Sequence, residues 1–193
     1  AASVVVSRVA VVTTLGAASG GLSLLIYKRL RMKVWDTLGV CNGILAGLVS
    51  VTAGCSVLEP WAGIIGGAVG AVVFCWAEWF CLHKLKVDDP VSAWALHGAT
   101  GVWGVLYVGL MACPEYVSTV YGGMAFGDDP RATGWYGAFY GGSGFLLALQ
   151  LLEVVCIIAW STVLMGLFFA ALKVRARRDH RAVCVRDAAG HKR

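Results

Sequence analysis

The chain has 193 residues, of which 59% are hydrophobic and 14% are charged, with a formal net charge of +5 and a mean hydropathy of +0.75. Soluble domains carry about 25% charged residues, so this composition excludes an ordinary soluble fold. The charged residues fall in short clusters between long apolar runs. This pattern predicts an all-α fold, a polytopic transmembrane helix bundle.

Five apolar runs are long enough to cross a membrane, since a helix needs about 20 apolar residues to span roughly 30 Å of hydrocarbon. The predicted spans, which together form a bundle over residues 1–172, are residues 2–27, 38–58, 60–82, 90–111 and 143–172. Residues 112–142 are too polar to span, and we expect them to form an ordered extracellular loop. Residues 173–193 form a basic tail.

The basic residues predict the orientation of the bundle. The clusters YKRLRMK, HKLK and KVRARRDHR all fall on one side of the predicted spans, and basic loops lie in the cytoplasm. The sequence therefore predicts an extracellular N-terminus and a cytoplasmic C-terminus. Because this rule accounts for the net positive charge, the expected partner is the lipid bilayer and no nucleic acid is expected.

The sequence favours no cofactor, metal or enzymatic chemistry. The seven cysteines are scattered without a CxxC motif or a histidine-rich cluster, so we predict no metal ligands. Hydrolytic and phosphate-binding motifs are not present either. Glycines at spacings of three and four residues instead predict close packing of the helices; they are Gly43, Gly47, Gly63, Gly67, Gly70, Gly98, Gly101 and Gly104.

The stretch KVDDPVSAWALHG predicts the start of the fourth span. Pro90 has the fixed φ favoured at the first helical position, and Asp89 is able to cap the free amides. At 1.5 Å per residue, His97 then lies about 10 Å along the helix. The small residues Ala93 and Gly101, with Gly104, share its predicted face, which either accepts another helix or lines a narrow space.

Ionisable groups inside a membrane span usually mark a pathway for an ion or a substrate. His97 is therefore a candidate pore residue: its neutral ring offers one hydrogen-bond donor and one acceptor, which suits a small polar molecule. Glu78 lies near the cytoplasmic end of the third predicted span. We expect its carboxylate to reach the membrane interface beside Trp76 and Trp79.

The segments VCNGILAGLVSVTAGCSVLEPWAGIIGG and KLKVDDPVSAWALHGATGVWGVLYVGLMA resemble the ammonium transporters of the Amt/Mep/Rh superfamily, and its plant-type Amt branch in particular. The resemblance runs from about Ser7 to Lys173. DDP followed by LHG is its most specific part.

This resemblance implies a homotrimer in the plasma membrane whose subunits each hold eleven helices around a narrow pore, with the five spans here as the last five. It implies that ammonium loses a proton, and that the neutral amine passes a pair of pore histidines. His97 matches the second of these, and the first would lie outside this chain. Asp88, Asp89 and Pro90 match the motif that caps the pore helix at its cytoplasmic end.

Three alternatives stay open at this stage. The chain could be a non-transporting membrane subunit that assembles with intact ammonium transporters, or a degenerate fragment that does so. An Rh-like gas channel is another alternative, although the plant-type motifs match better. We do not expect five spans to conduct alone, because half of the pore wall would be missing.

Overall fold

The computed structural model describes residues 2–121 and 135–190, with side chains up to residue 175. The chain divides into two compact units, Ala1–Leu152 and Glu153–Arg193. Every regular element among the described residues is helical, which confirms the predicted all-α fold class.

Among its described residues, the first unit contains five α-helices, the beginning of a sixth, two π-helical turns and one 3-10 turn. In chain order the elements are α1 (Ala2–Met32), α2 (Thr37–Thr52), α3 (Pro60–Phe80), a π-helical turn (Cys81–Leu85), a second π-helical turn (Trp94–Ala99), α4 (Thr100–Met111), α5 (Pro114–Tyr121), a 3-10 turn (Ala138–Tyr140) and α6 (Phe145–Gly190).

In the part of the chain that the structure describes, three helices are long and apolar enough to cross a membrane: Ala2–Met32, Pro60–Leu85 and Phe145–Arg175. A fourth candidate is the pair formed by Trp94–Met111 and Pro114–Tyr121, which is bent by 104°. α2 is apolar but shorter. The predicted count of five spans, with their boundaries, therefore stays a prediction.

α1 and α2 pack backbone to backbone along a glycine seam, which consists of Gly16, Gly20, Gly43 and Gly47. A methyl group added at Gly43 would lie 2.7 Å from the carbonyl oxygen of Gly20, and one added at Gly20 would lie 2.8 Å from the Cα of Gly47. Such contacts leave no room for a side chain. The close packing predicted for Gly43 and Gly47 is confirmed, whereas the partner glycines on α1 were not predicted.

α4 is fixed to α3 by two aromatic side chains. The Tyr107 hydroxyl donates a hydrogen bond to the carbonyl of Ala62 at 2.7 Å, and the Trp103 indole donates to the carbonyl of Gly66 at 3.1 Å. Their rings pack in an apolar cluster. The two hydrogen bonds satisfy the polar end of each ring, while the body of the ring contacts apolar side chains. The buried members of this cluster are Val12, Val51, Leu58, Ala62, Tyr107 and Met111.

The described parts of the predicted extracellular loop pack on the helix ends. The Cys113 amide donates to the carbonyl of Val57 at 2.9 Å, and the Arg8 guanidinium lies 3.4 Å from the centre of the Tyr116 ring. Residues 122–134 of that loop lie outside the described residues. The described part of the loop begins directly after α4 and forms α5.

At the opposite end, an ion pair joins the end of α1 to the start of α2. The Lys28 ammonium lies 2.5 Å from the Asp36 carboxylate, which also accepts a hydrogen bond from the Gly39 amide at 3.0 Å. The Lys28 hydrogen bond, followed by the Gly39 amide, lowers the pKa of Asp36. Asp36 thereby caps α2 and holds it against α1.

The second unit consists of the remainder of α6. Its helical backbone continues to Gly190, well beyond the boundary predicted at residue 172. At residue 173, the sequence changes from apolar residues to the basic tail.

Candidate functional site

The segment that carries His97 begins with a capped turn. The Asp89 carboxylate accepts hydrogen bonds from the backbone amides of Ala93 and Trp94, at 3.0 and 2.8 Å. Pro90 lies in the preceding turn, and helical conformation begins at Ala93. The start at Pro90 that we predicted is therefore displaced by three residues, and Asp88 lies in the loop before it.

The reason for this displacement is the backbone of Ser92, which has a φ of 51°. A non-glycine residue rarely adopts this left-handed conformation, and it prevents a continuous helix from Pro90 onward. The Ser92 hydroxyl donates a hydrogen bond of 2.7 Å to the carboxylate of Glu78 on α3. Glu78 thus has a protein partner, which our prediction that its carboxylate reaches the membrane interface did not include.

Sequence reasoning missed the helix start after Ser92, although a signal for that start exists. Serine is a favoured residue immediately before the first turn of a helix, and Ser92 directly precedes Ala93. That preference would have placed the helix start after Ser92. The partner of its hydroxyl could not be found in this way, because Glu78 lies 14 residues earlier on another helix.

His97 lies within a π-helical turn, Trp94–Ala99. The Thr100 amide at its end donates to the carbonyl of Ala95, five residues earlier. Single π-turns are rare and often occur at functional sites. Ala95 and Leu96 are buried in a cluster with α3 residues, so one side of this turn is anchored while His97 is on the other.

Three of the four residues predicted to share a face are open. Ala93 and His97 are exposed, and a methyl group added at Gly101 would meet no atom within 4 Å. We call Ala93, His97 and Gly101 the open face. Gly104 does not belong to it, because its Cα is buried against the backbone of Ser50 on α2.

Among the described residues, the ring of His97 has no hydrogen-bond or ion-pair partner. It is also not enclosed by the bundle. In hydrocarbon, both ring nitrogens would then lack partners, which is costly. The open face therefore needs either a polar ligand or further protein beside it.

A cavity of about 480 Å³ lies next to the capped turn. Its polar lining includes Glu78, Asp88, Asp89, Ser92 and Lys28. Within the described ranges, no group of three or more His, Cys, Asp or Glu side chains is placed to hold a metal ion.

A family model, the Ammonium Transporter Family, matches residues 1–177. The chain is 43% identical over 167 residues to Ammonium transporter 1 member 2 of Arabidopsis thaliana, covering 86% of this chain and 30% of that protein. It is 42% identical over 168 residues to Ammonium transporter 1 member 1 of Oryza sativa subsp. japonica, covering 87% and 32%. These relatives carry the names of transporters and not of enzymes.

Two solved structures are similar to this one. Candida albicans Mep2 has a TM-score of 0.69 at 28% identity, over 81% of this chain and 32% of that one. A protein described as Sensor Amt Protein has a TM-score of 0.72 at 33% identity, over 88% and 37%. The chain spans about a third of the length of these relatives. It belongs to the Ammonium Transporter Family, in its plant-type branch, and is an integral membrane protein.

Proposed function

We propose that this chain forms the C-terminal helices of an ammonium transporter, in which the open face lines the path of the substrate. The observation that carries the proposal is the position of His97. In a chain of this family, it lies on the open face, where its neighbours have small side chains. The opposite side of the same helix is packed against α3 through Ala95 and Leu96. The packed side of the helix fixes the backbone at His97, and the exposed imidazole is accessible to a ligand.

In this proposal, the charge of the substrate decides whether ammonium or ammonia passes along the open face. A dry passage imposes a desolvation cost of several kcal/mol on a cation and much less on a small neutral amine. Ammonium therefore gives up a proton to water before it enters, and ammonia moves along the open face. A neutral imidazole at position 97 is able to accept a hydrogen bond from ammonia and to donate one to it.

The assembly follows from the same proposal. The chain spans about a third of its relatives' length and leaves the open face uncovered, so we propose that the remaining helices of the full protein complete the pore wall. The family resemblance further implies that three such subunits form a homotrimer. The basic clusters favour a cytoplasmic C-terminus, and we propose the plasma membrane as the site of uptake.

The test is uptake of methylammonium by the full protein in yeast that lacks its own ammonium transporters. We expect His97→Ala to lower uptake by about tenfold or more, which corresponds to ~1.4 kcal/mol. His83→Ala is the matched control, because His83 lies outside the open face, in the π-helical turn that follows α3, with its ring stacked on Trp79.

Two results would contradict the proposal. One is normal uptake by the His97→Ala variant at normal surface abundance. The other is an absence of uptake by the unsubstituted full protein at normal abundance, which would favour the non-transporting subunit.

A further inference from the structure

The turn before the His97 helix combines three features within a few residues. Ser92 has a left-handed backbone, its hydroxyl donates to Glu78 at 2.7 Å, and its carbonyl accepts a hydrogen bond from the Leu96 amide at 2.8 Å. The same residue therefore binds α3 through its side chain, and its carbonyl accepts an α-type hydrogen bond at the start of the helical segment that contains the π-helical turn.

A left-handed backbone at a serine persists only where surrounding contacts hold it. Two such contacts are present here. The Asp89 carboxylate holds the amides that follow Ser92, and Glu78 holds the Ser92 side chain from a different helix. Of the two, the Glu78 contact is the one that joins this turn to the rest of the bundle, because Asp89 belongs to the same segment.

The conformation of this turn decides where the side chains after it point. A π-turn closes its hydrogen bonds over five residues instead of four, so every later residue is rotated relative to an uninterrupted α-helix. Ala95 and Leu96 are buried and His97 is exposed in this register. A helix that began at Pro90 in the ordinary register would present a different set of side chains.

We propose that Glu78 and Ser92 are positioning residues for His97, and this inference rests on the proposed function. Their hydrogen bond fixes the left-handed turn at Ser92, and through it the register of the π-helical turn that directs the imidazole to the open face. Neither residue touches the substrate; both act through the backbone of residues 92–97.

The experiment compares variants that remove the hydrogen bond with variants that keep it. Ser92→Ala and Glu78→Ala each lack one partner, whereas Ser92→Asn retains a hydrogen-bond donor on a residue that tolerates the left-handed backbone, and Glu78→Gln retains an acceptor oxygen. In the full protein, we expect each alanine variant to lower the maximal uptake rate roughly fivefold, the usual effect of losing one hydrogen bond. The conservative variants should stay near the unsubstituted rate.

A double substitution tests whether the two residues act through one contact. If they do, Ser92→Ala combined with Glu78→Ala lowers uptake no further than either change alone. Effects that multiply would overturn the inference. So would a Glu78→Gln variant that is as slow as Glu78→Ala, since this result would assign the effect to the charge of the carboxylate.

Amide hydrogen exchange of the purified full protein tests the contact without reference to transport. The amides of residues 94–99 should exchange faster in both alanine variants than in Ser92→Asn and Glu78→Gln. Unchanged exchange in the alanine variants would overturn the inference. Faster exchange in these variants with unchanged uptake would also overturn it, provided that His97→Ala lowers uptake. Failure of the His97→Ala test alone would instead overturn the proposed function and leave the exchange result to stand.

Discussion

The glycine seam and the open face are built from similar residues and have opposite surroundings. In the seam, Gly20, Gly43 and Gly47 are closed by the backbone of the facing helix, and Gly16 is closed by the Val51 side chain. In the open face, Gly101 has no neighbour within 4 Å of an added methyl group. A pattern of small residues therefore indicates where a close approach is possible, and the neighbouring element decides whether one occurs.

α4 shows both situations within one turn. Gly104 is closed by the backbone of Ser50, while Gly101 is open. The two positions are three residues apart, a spacing that places them on adjoining but not identical sides of a helix. The bundle thus uses one side of α4 for packing and leaves the next side to the proposed path.

The largest expected effect is a loss of stability from Gly47→Ala in the seam. The added methyl group would overlap the carbonyl oxygen of Gly16 and approach the Cα of Gly20 to 3.2 Å. Backbone cannot move aside as a flexible side chain does, so we expect a cost of about 3 kcal/mol, at the upper end for overpacked sites. Thermal unfolding of the purified full protein in detergent measures it.

The matched control is Gly101→Ala, which adds the same methyl group to open space. We expect it to be neutral or to stabilise the helix by up to ~1 kcal/mol, because alanine is the better helix former. Equal melting temperatures for the two variants would remove the distinction between the seam and the open face.

The second prediction concerns a bulky residue on the open face. Gly101→Phe should fold as the unsubstituted protein does, and its ring should obstruct the path beside His97. We expect uptake of methylammonium to fall by about tenfold or more, with a melting temperature close to that of Gly101→Ala. A melting temperature as low as that of Gly47→Ala would show that this face is packed in the full protein.

The smallest expected effect is the pH dependence of the ion pair at the end of the seam. Because the pKa of Asp36 is lowered by Lys28, the stabilisation is present above its ordinary pKa of 3.8 and is lost as the pH falls through the lower folded value. We expect the melting temperature to fall slightly more between about pH 5 and about pH 3 than in Asp36→Asn, which keeps a capping residue. The same fall in melting temperature with pH in the unsubstituted protein and in Asp36→Asn would contradict this prediction.

The sequence was sufficient for the class of fold and for the family. Long apolar runs and clustered charges fix the preference for membrane helices, because each residue contributes to burial nearly independently of its neighbours. The DDP and LHG segments also lie close together in the chain. Their local spacing therefore predicted that a capping carboxylate would precede His97, although not that the helix would begin at Ala93.

The tertiary structure decided which residues are paired and which are open. Gly43 and Gly101 look alike in sequence, but only Gly43 has a facing backbone. The contact between Ser92 and Glu78 likewise joins two helices across 14 residues. Pairings of this kind depend on how whole helices lie against each other, and composition and local spacing carry no record of that geometry.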